Sequence, residues 1–189
     1  MFLSQGILPF LERPPIFDLG ISKYLAISSE IKESLINSGI LKNKIDIIGN
    51  IIDIGEFKVD RKINNSPENA LVISGRIDKE KEMIIRKACK ELKINIEFIG
   101  GRFGEVNQQI LIKNIEESDI IFSLGRGEME GMITGRCVII YDYLGADGII
   151  TTDSYHEIKK NNFSGSRFGK KYNVFDLKNE IKKVQALAT

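Results

Sequence analysis

The sequence predicts an α/β fold, a parallel sheet flanked by helices. Three observations carry that expectation. Short apolar runs such as LVIS (71–74), IIF (120–122) and CVIIYDY (137–143) read as buried strands. They are separated by amphipathic segments of roughly 10–15 residues, the spacing of a parallel sheet with right-handed crossovers. Gly75, Gly100-Gly101, Gly125 to Gly127 and Gly145 to Gly148 all stand where a strand ends. In such sheets ligands bind outside the carboxyl ends of the strands.

The elements follow in order. KYLAIS (23–28) is a short strand. Ser28 or Ser29 caps the helix that follows, Ile31, Leu35 and Ile36 form its apolar face, and Gly39 ends it. KIDIIG (44–49) is a second strand. The polar stretch 57–70, with Asn-Asn-Ser-Pro at its centre, reads as a linker or boundary. LVIS then leads into a helix over 78–92, capped by Asp78, with Met83, Ile84, Ala88 and Leu92 on its apolar face. INIEFIGG (94–101) is a strand and 106–118 a helix. Ile120 to Phe122 forms the next strand, followed by a glycine turn, a short helix and the strand 137–143. GIITTD (148–153) is a short strand or turn, and 154–162 and 176–187 are surface helices. No internal repeat or low-complexity tract is present.

Composition excludes several classes. The 189 residues suit one large domain or one and a half small ones. With 42% hydrophobic and 28% charged residues the chain is ordinary for a globular protein. A net charge of +1 supplies no global basic field for nucleic acid or an anionic membrane. No apolar run reaches transmembrane length. The N-terminal MFLSQGILPFLERPP has no basic n-region and is interrupted by Glu12 and Pro14, unlike a signal peptide. Cys89 and Cys137 are isolated, without metal-ligand spacing, and read as reduced, mostly buried thiols of a cytoplasmic protein.

Two stretches carry most of the chemistry. In SDIIFSLGRGEMEGMITGRCVIIYDY (118–143), Gly125-Arg126-Gly127 is a turn between strand and helix, and Glu130 lies one turn in. Glycines admit a phosphate to the backbone, a helix N-terminus offers free N–H groups, and a carboxylate accepts ribose hydroxyls. Gly127 and Glu130 lie about 4.5 Å apart along a helix, close to the ribose-to-phosphate separation. An ordinary strand-to-helix turn with a solvated Glu130 accounts for the pattern equally well. In ISGRIDKEKEM (73–83), Gly75 and Arg76 follow a strand and Lys81 begins a helix, a fork and a point charge suited to a diphosphate. A solvated, charged helix start is the competing reading.

A third stretch, 141–171, contains Asp142, Asp147, Gly145 and Gly148, then a polar loop with Asn161, Asn162, Ser164, Gly165 and Arg167. It reads as a sugar-contacting loop or a plain surface loop. No third ligand joins the aspartates at a useful spacing, so no metal site is expected. His156 reads as a surface residue. No nucleophile elbow is present. Gly100-Gly101-Arg102-Phe103-Gly104 departs from a dinucleotide-binding spacing.

With these motifs in order, the chain resembles the C-terminal nucleotide-sugar-binding domain of GT-B glycosyltransferases, of the family 4 (group 1) type, which is Rossmann-like. SGRIDKEK resembles that family's Gly-Arg-(x)4-Lys and places Gly75, Arg76 and Lys81. Asn50 and Asp53 before Phe57 resemble its Asn-x-x-Asp turn. The stretch 118–143 resembles its donor-site helix and places Glu130 at the ribose-holding glutamate. The family's partner glutamate, with seven residues between it and this one, falls on Phe122.

The resemblance implies that residues 1–56 are the end of an acceptor-side domain and the entry into the donor domain. Residues 57–189 are then the nucleotide-sugar-binding domain, and the acceptor half is absent from the chain. It further implies that Arg76 and Lys81 are catalytic, neutralising a leaving diphosphate. Gly75, Gly101, Gly125, Arg126, Gly127, Glu130, Gly145, Asp147 and Gly148 would bind the nucleotide sugar. No cofactor and no metal are implied, because the nucleotide-diphosphate sugar is the donor substrate. The expected partners are that donor, an unknown acceptor, and an acceptor-side domain or a second copy. A non-catalytic binding or assembly module, docking through Phe2, Leu3, Ile7, Leu8 and Phe10, and a sugar-nucleotide epimerase are the alternatives.

Overall fold

A computed structural model describes residues 1–6, 20–57 and 62–187. Ile7, Leu8, Phe10, Glu12 and Pro14, on which part of the N-terminal reading rests, lie outside the described residues, as does the 58–61 part of the expected linker.

Two sheets organise the chain. The first is a small parallel sheet of β1 (Phe2–Ser4), β2 (Tyr24–Ala26) and β3 (Ile45–Ile47), in the order β1-β2-β3. Helix α1 (Ser29–Asn37) packs on it. The Ser28 side chain accepts the Ile31 N–H and caps α1, and Ile31 and Leu35 are buried with Tyr24, Ala26, Ile27 and Ile45. The expected strands 23–28 and 44–49 thus shorten to their middles.

The second sheet holds β4 (Asn69–Ile73), β5 (Asn95–Ile99), β6 (Ile120–Ser123), β7 (Cys137–Asp142) and β8 (Gly145–Ile149), in the order β5-β4-β6-β7-β8. The pairings β4–β5, β4–β6 and β6–β7 are parallel. They are joined through α2 (Lys79–Glu91), α3 (Gln108–Glu117) and α4 (Arg126–Ile133). Helices α5 (Thr152–Lys159) and α6 (Val174–Leu187) complete the layers. Both faces of the sheet are covered. Val72, Phe122, Ile139 and Tyr141 join Ile85, Ala88, Leu177 and Ile181 on one side. Leu71, Ile121 and Val138 join Phe57 and Ile115 on the other. Burying an aliphatic side chain of this size contributes about 1.5–3 kcal/mol, which is why these strands read as unbroken apolar runs rather than alternating ones.

Four expectations change. Strand β8 pairs antiparallel with β7, so Gly145 to Gly148 is edge-strand backbone rather than a free loop. On α2 the buried residues are Ile85, Ala88 and Cys89, and Met83 is 65% exposed. Lys81, Ile85, Ala88 and Leu92 follow the helical repeat, which turns Met83 toward solvent. The stretch 62–69 is anchored: the backbone N–H groups of Asn64, Glu68 and Asn69 all donate to the buried Asp119 carboxylate. Helix α6 is also more than a surface helix, since Leu177, Ile181 and Val184 are buried against the sheet.

Candidate functional site

The order of the large sheet reverses at β4, because β5 lies on one side of it and β6 on the other. Such a switch point opens a crevice at the carboxyl ends of the strands. The main cleft lies there, with a volume of about 470 Å³, within the usual range for small-molecule sites. Its walls are turns that follow parallel strands. Ser74, Gly75 and Arg76 come after β4, Leu124 and Gly125 after β6, and Tyr143 and Leu144 after β7. The small sheet contributes Gln5 and Gly6 after β1, and Glu30 and Ile31 after β2. Asn161, Asn162, Ser164 and Ser166, beyond α5, close it.

The Gly75–Arg76 turn is held from below. Ser74 Oγ donates to Asp142 Oδ2 at 2.6 Å and accepts the backbone N–H groups of Arg76 and Ile77 at 3.2 and 3.0 Å. Burial pushes the Asp142 carboxyl up from its ordinary value, and the Ser74 and Tyr143 hydrogen bonds pull it back in part. Gly101 supports the same turn. A Cβ there would stand 2.4 Å from Gly75 O, and its φ is +54°, so only glycine permits this approach. The Arg102 guanidinium clamps the glycine loop to α2, donating to Ile77 O and Glu82. Arg76 itself is exposed, with its guanidinium 5.9 Å from the Tyr143 ring. Among the described residues no carboxylate forms an ion pair with it.

The other expected cations are engaged. Lys81 pairs at 2.6 Å with Asp78, the residue that caps α2. Burial works against the Asp78 charge, but Lys81 outweighs it and keeps the carboxyl below its ordinary value. Arg126, 68% exposed, reaches along α4 to Glu130 at 2.9 Å. Burial raises the Glu130 pKa, and Arg126 offsets part of that rise.

Of the sequence-predicted site residues, the structure brings Gly75, Arg76 and Gly125 to the cleft wall. Lys81, Gly101, Arg126, Gly127, Glu130, Gly145, Asp147 and Gly148 do not line it. Gly127 faces the sheet, where a Cβ would meet Ser123 Oγ at 2.3 Å. Gly145 faces the backbone of Gly165 and Gly169, and Gly148 faces Tyr172 and Glu180. Asp147 is buried and accepts the Phe168 N–H at 2.7 Å. These glycines permit close packing at a strand edge and under a helix, which a sequence pattern does not distinguish from ligand approach.

Sequence reasoning missed Glu30, Ser166 and Tyr143. Glu30 had a usable signal, since it opens the helix after the first predicted strand, where carboxyl-end logic already applied. It also missed Glu128. This residue is fully buried beneath the first turn of α4, and among the described residues neither carboxylate oxygen has a hydrogen-bond partner. Burial pushes its pKa well up. The Glu128 and Gly125 amides oppose that shift, and the Asp142 and Asp147 charges add to it. Among the described residues no group of three or more His, Cys, Asp or Glu side chains is arranged to hold a metal ion. No helix there is long and apolar enough to cross a membrane.

No protein-family model matches the chain, and no curated protein does. Among solved structures it is similar to Alr3699/HepE of Anabaena, determined in complex with UDP and glucose. The identity is 14%, the match covers 97% of this chain and 71% of that one, and the TM-score is 0.48.

Proposed function

We propose that this chain is the donor-binding half of a GT-B-type glycosyltransferase, holding a nucleoside-diphosphate sugar for transfer of its glycosyl group to an acceptor. One observation carries the reading. A guanidinium that no carboxylate among the described residues pairs, Arg76, stands with the glycine turns at Gly75 and Gly125 in a cleft at the switch point of a parallel sheet. A diphosphate matches that set. It accepts from Arg76 and from the backbone N–H groups at the α4 start, where the helix dipole favours negative charge.

In this mechanism Arg76 stabilises the charge that develops on the leaving diphosphate, usually the largest contribution to catalysis. Lys81 adds to this once the diphosphate draws it away from Asp78. Arg126 turns from Glu130 toward the phosphates, and Glu130 then accepts the ribose hydroxyls. Gly101 acts by supporting Gly75. No metal is required, because cationic side chains and a helix end take its place.

Calorimetric titration with UDP, GDP and their sugars tests this. Saturable binding of one of the two families is the expected result, and failure of every nucleoside diphosphate to bind would overturn it. A second reading, an assembly module that needs a partner domain, is favoured by the exposed Leu3, Ile47, Ile48, Ile51 and Ile54 of the small sheet and the segment after it. Glycosyl transfer that appears only after addition of a second subunit would favour that reading. Donor turnover without any acceptor would point to an epimerase instead.

A further inference from the structure

The cleft has two walls of different chemistry. Arg76 is the one cationic side chain among the described residues that line it, and it stands on the β4 side. The opposite wall, from α1 and the loop after α5, carries neutral amides and hydroxyls and one carboxylate, Glu30. Those groups are linked. Asn161 Nδ2 donates to Ser166 Oγ at 3.1 Å, Ser164 Oγ and Ser166 Oγ lie 2.7 Å apart, and Ser166 Oγ donates to Glu30 Oε1 at 3.1 Å. Asn162 Oδ1 accepts from Asn50 Nδ2 at 3.1 Å.

The loop is held in a conformation that side chains rarely adopt. Asn162 and Phe163 have φ of 51° and 53°, a left-handed pair that persists only where the surroundings over-determine it. The surroundings impose it. Phe163 is buried with Ile140 and Ile158, its carbonyl accepts the Gly125 N–H at 3.3 Å, and the Lys160 carbonyl accepts the Glu30 N–H at 3.1 Å. The loop is therefore tied to both sides of the cleft, and its polar groups are presented at a fixed distance from the Gly125 turn.

We propose that this wall, centred on Glu30 and Ser166, recognises the glycosyl group of the donor and selects an uncharged, hydroxyl-rich sugar over one bearing a carboxylate. The assignment rests on the donor-binding reading above, which places the diphosphate at Arg76 and Gly125. With Arg76 engaged there, the sugar end meets Glu30, and among the described residues lining that wall no cation answers a sugar carboxylate. Ring hydroxyls suit such a wall. A carboxylate accepts from them, and amides and hydroxyls can both donate and accept. A carboxylated sugar sets like charges against each other in a half-closed site, which discriminates between ligands.

The test measures affinities for UDP, UDP-glucose and UDP-glucuronate, and for GDP, GDP-mannose and GDP-mannuronate, on the wild-type chain, Glu30→Gln and Ser166→Ala. In the family that binds, the uncharged sugar should bind at least about tenfold more tightly than its carboxylated counterpart. Glu30→Gln should narrow that gap and lower the affinity ratio of the uncharged sugar nucleotide to the bare diphosphate. Ser166→Ala should lower the same ratio. Equal affinity for the two sugars, or a substitution that weakens the bare diphosphate as much as the sugar nucleotide, would overturn the assignment while leaving diphosphate binding intact. Failure of UDP, GDP and every other nucleoside diphosphate to bind would overturn the donor-binding reading and this inference with it.

Discussion

Gly127→Ala separates packing from ligand approach. A Cβ at this position would stand 2.3 Å from Ser123 Oγ, 3.2 Å from Ser123 Cβ and 3.3 Å from Ile73 Cγ2. Ser123 Oγ cannot move freely, because it donates to Ile73 O at 2.7 Å. Displacing it breaks that bond and strands a polar group, at about 1–3 kcal/mol. Crowding between α4 and β6 adds about 1–3 kcal/mol, and the better helix propensity of alanine returns about 1 kcal/mol. The net loss is about 3 kcal/mol, or roughly 6–12 °C in melting temperature for a chain of this size. In a Ser123→Ala background the obstructing hydroxyl is gone, so the same Gly127→Ala change should cost about 1–2 kcal/mol less. Thermal and urea denaturation of the two single variants and the double variant complete the cycle. A neutral Gly127→Ala, or strictly additive effects, would refute the packing argument.

Other expectations follow from buried groups. Glu128 keeps its proton in the folded state above the pH at which the unfolded chain releases it. Stability therefore falls as pH rises beyond the ordinary glutamate value of 4.5. Glu128→Gln should flatten that decline and gain on the wild type with increasing pH, and parallel pH profiles would contradict this. The Cys89 thiol is pushed up to about 12 by burial. It should resist alkylation at pH 8 until the chain unfolds, whereas native-state labelling at the rate of a free thiol, read by mass spectrometry, would show the core to be open. Gly101→Ala, forced against Gly75 O, should destabilise the fold and weaken diphosphate binding together. A loss of one without the other would separate the loop from the site.

Much of the large sheet was legible in the residues because its strands are buried on both faces. Leu71, Ile121 and Ile139 stand in unbroken apolar runs, and each run ends at a glycine or polar turn. The small sheet was harder to delimit, since each of its strands spans only three residues. The direction of β8 was not legible. Its two glycines read as a loop, whereas they serve a close antiparallel pairing with an irregular register at Ile140 and Tyr141. At the site, sequence spacing identified Gly75, Arg76 and Gly125, which are adjacent to strand ends. It could not place Glu30 or Ser166, which are 136 positions apart and meet only through the fold. Nor could it foresee that Lys81 would pair with its helix cap Asp78 and Arg126 with Glu130 in its own helix, since ion pairs at such spacings also occur on solvated surfaces.

The central claim is that Arg76 grips a diphosphate. The most direct test is calorimetry of the nucleoside diphosphate that binds, on the wild-type chain and on Arg76→Ala. A charge-assisted hydrogen bond contributes about 1.5–3 kcal/mol, so the account predicts a loss of affinity of roughly 10- to 100-fold. Arg76→Lys should retain part of it, because the charge remains while the planar fork is lost. An Arg76→Ala variant that binds as tightly as the wild type would contradict the account.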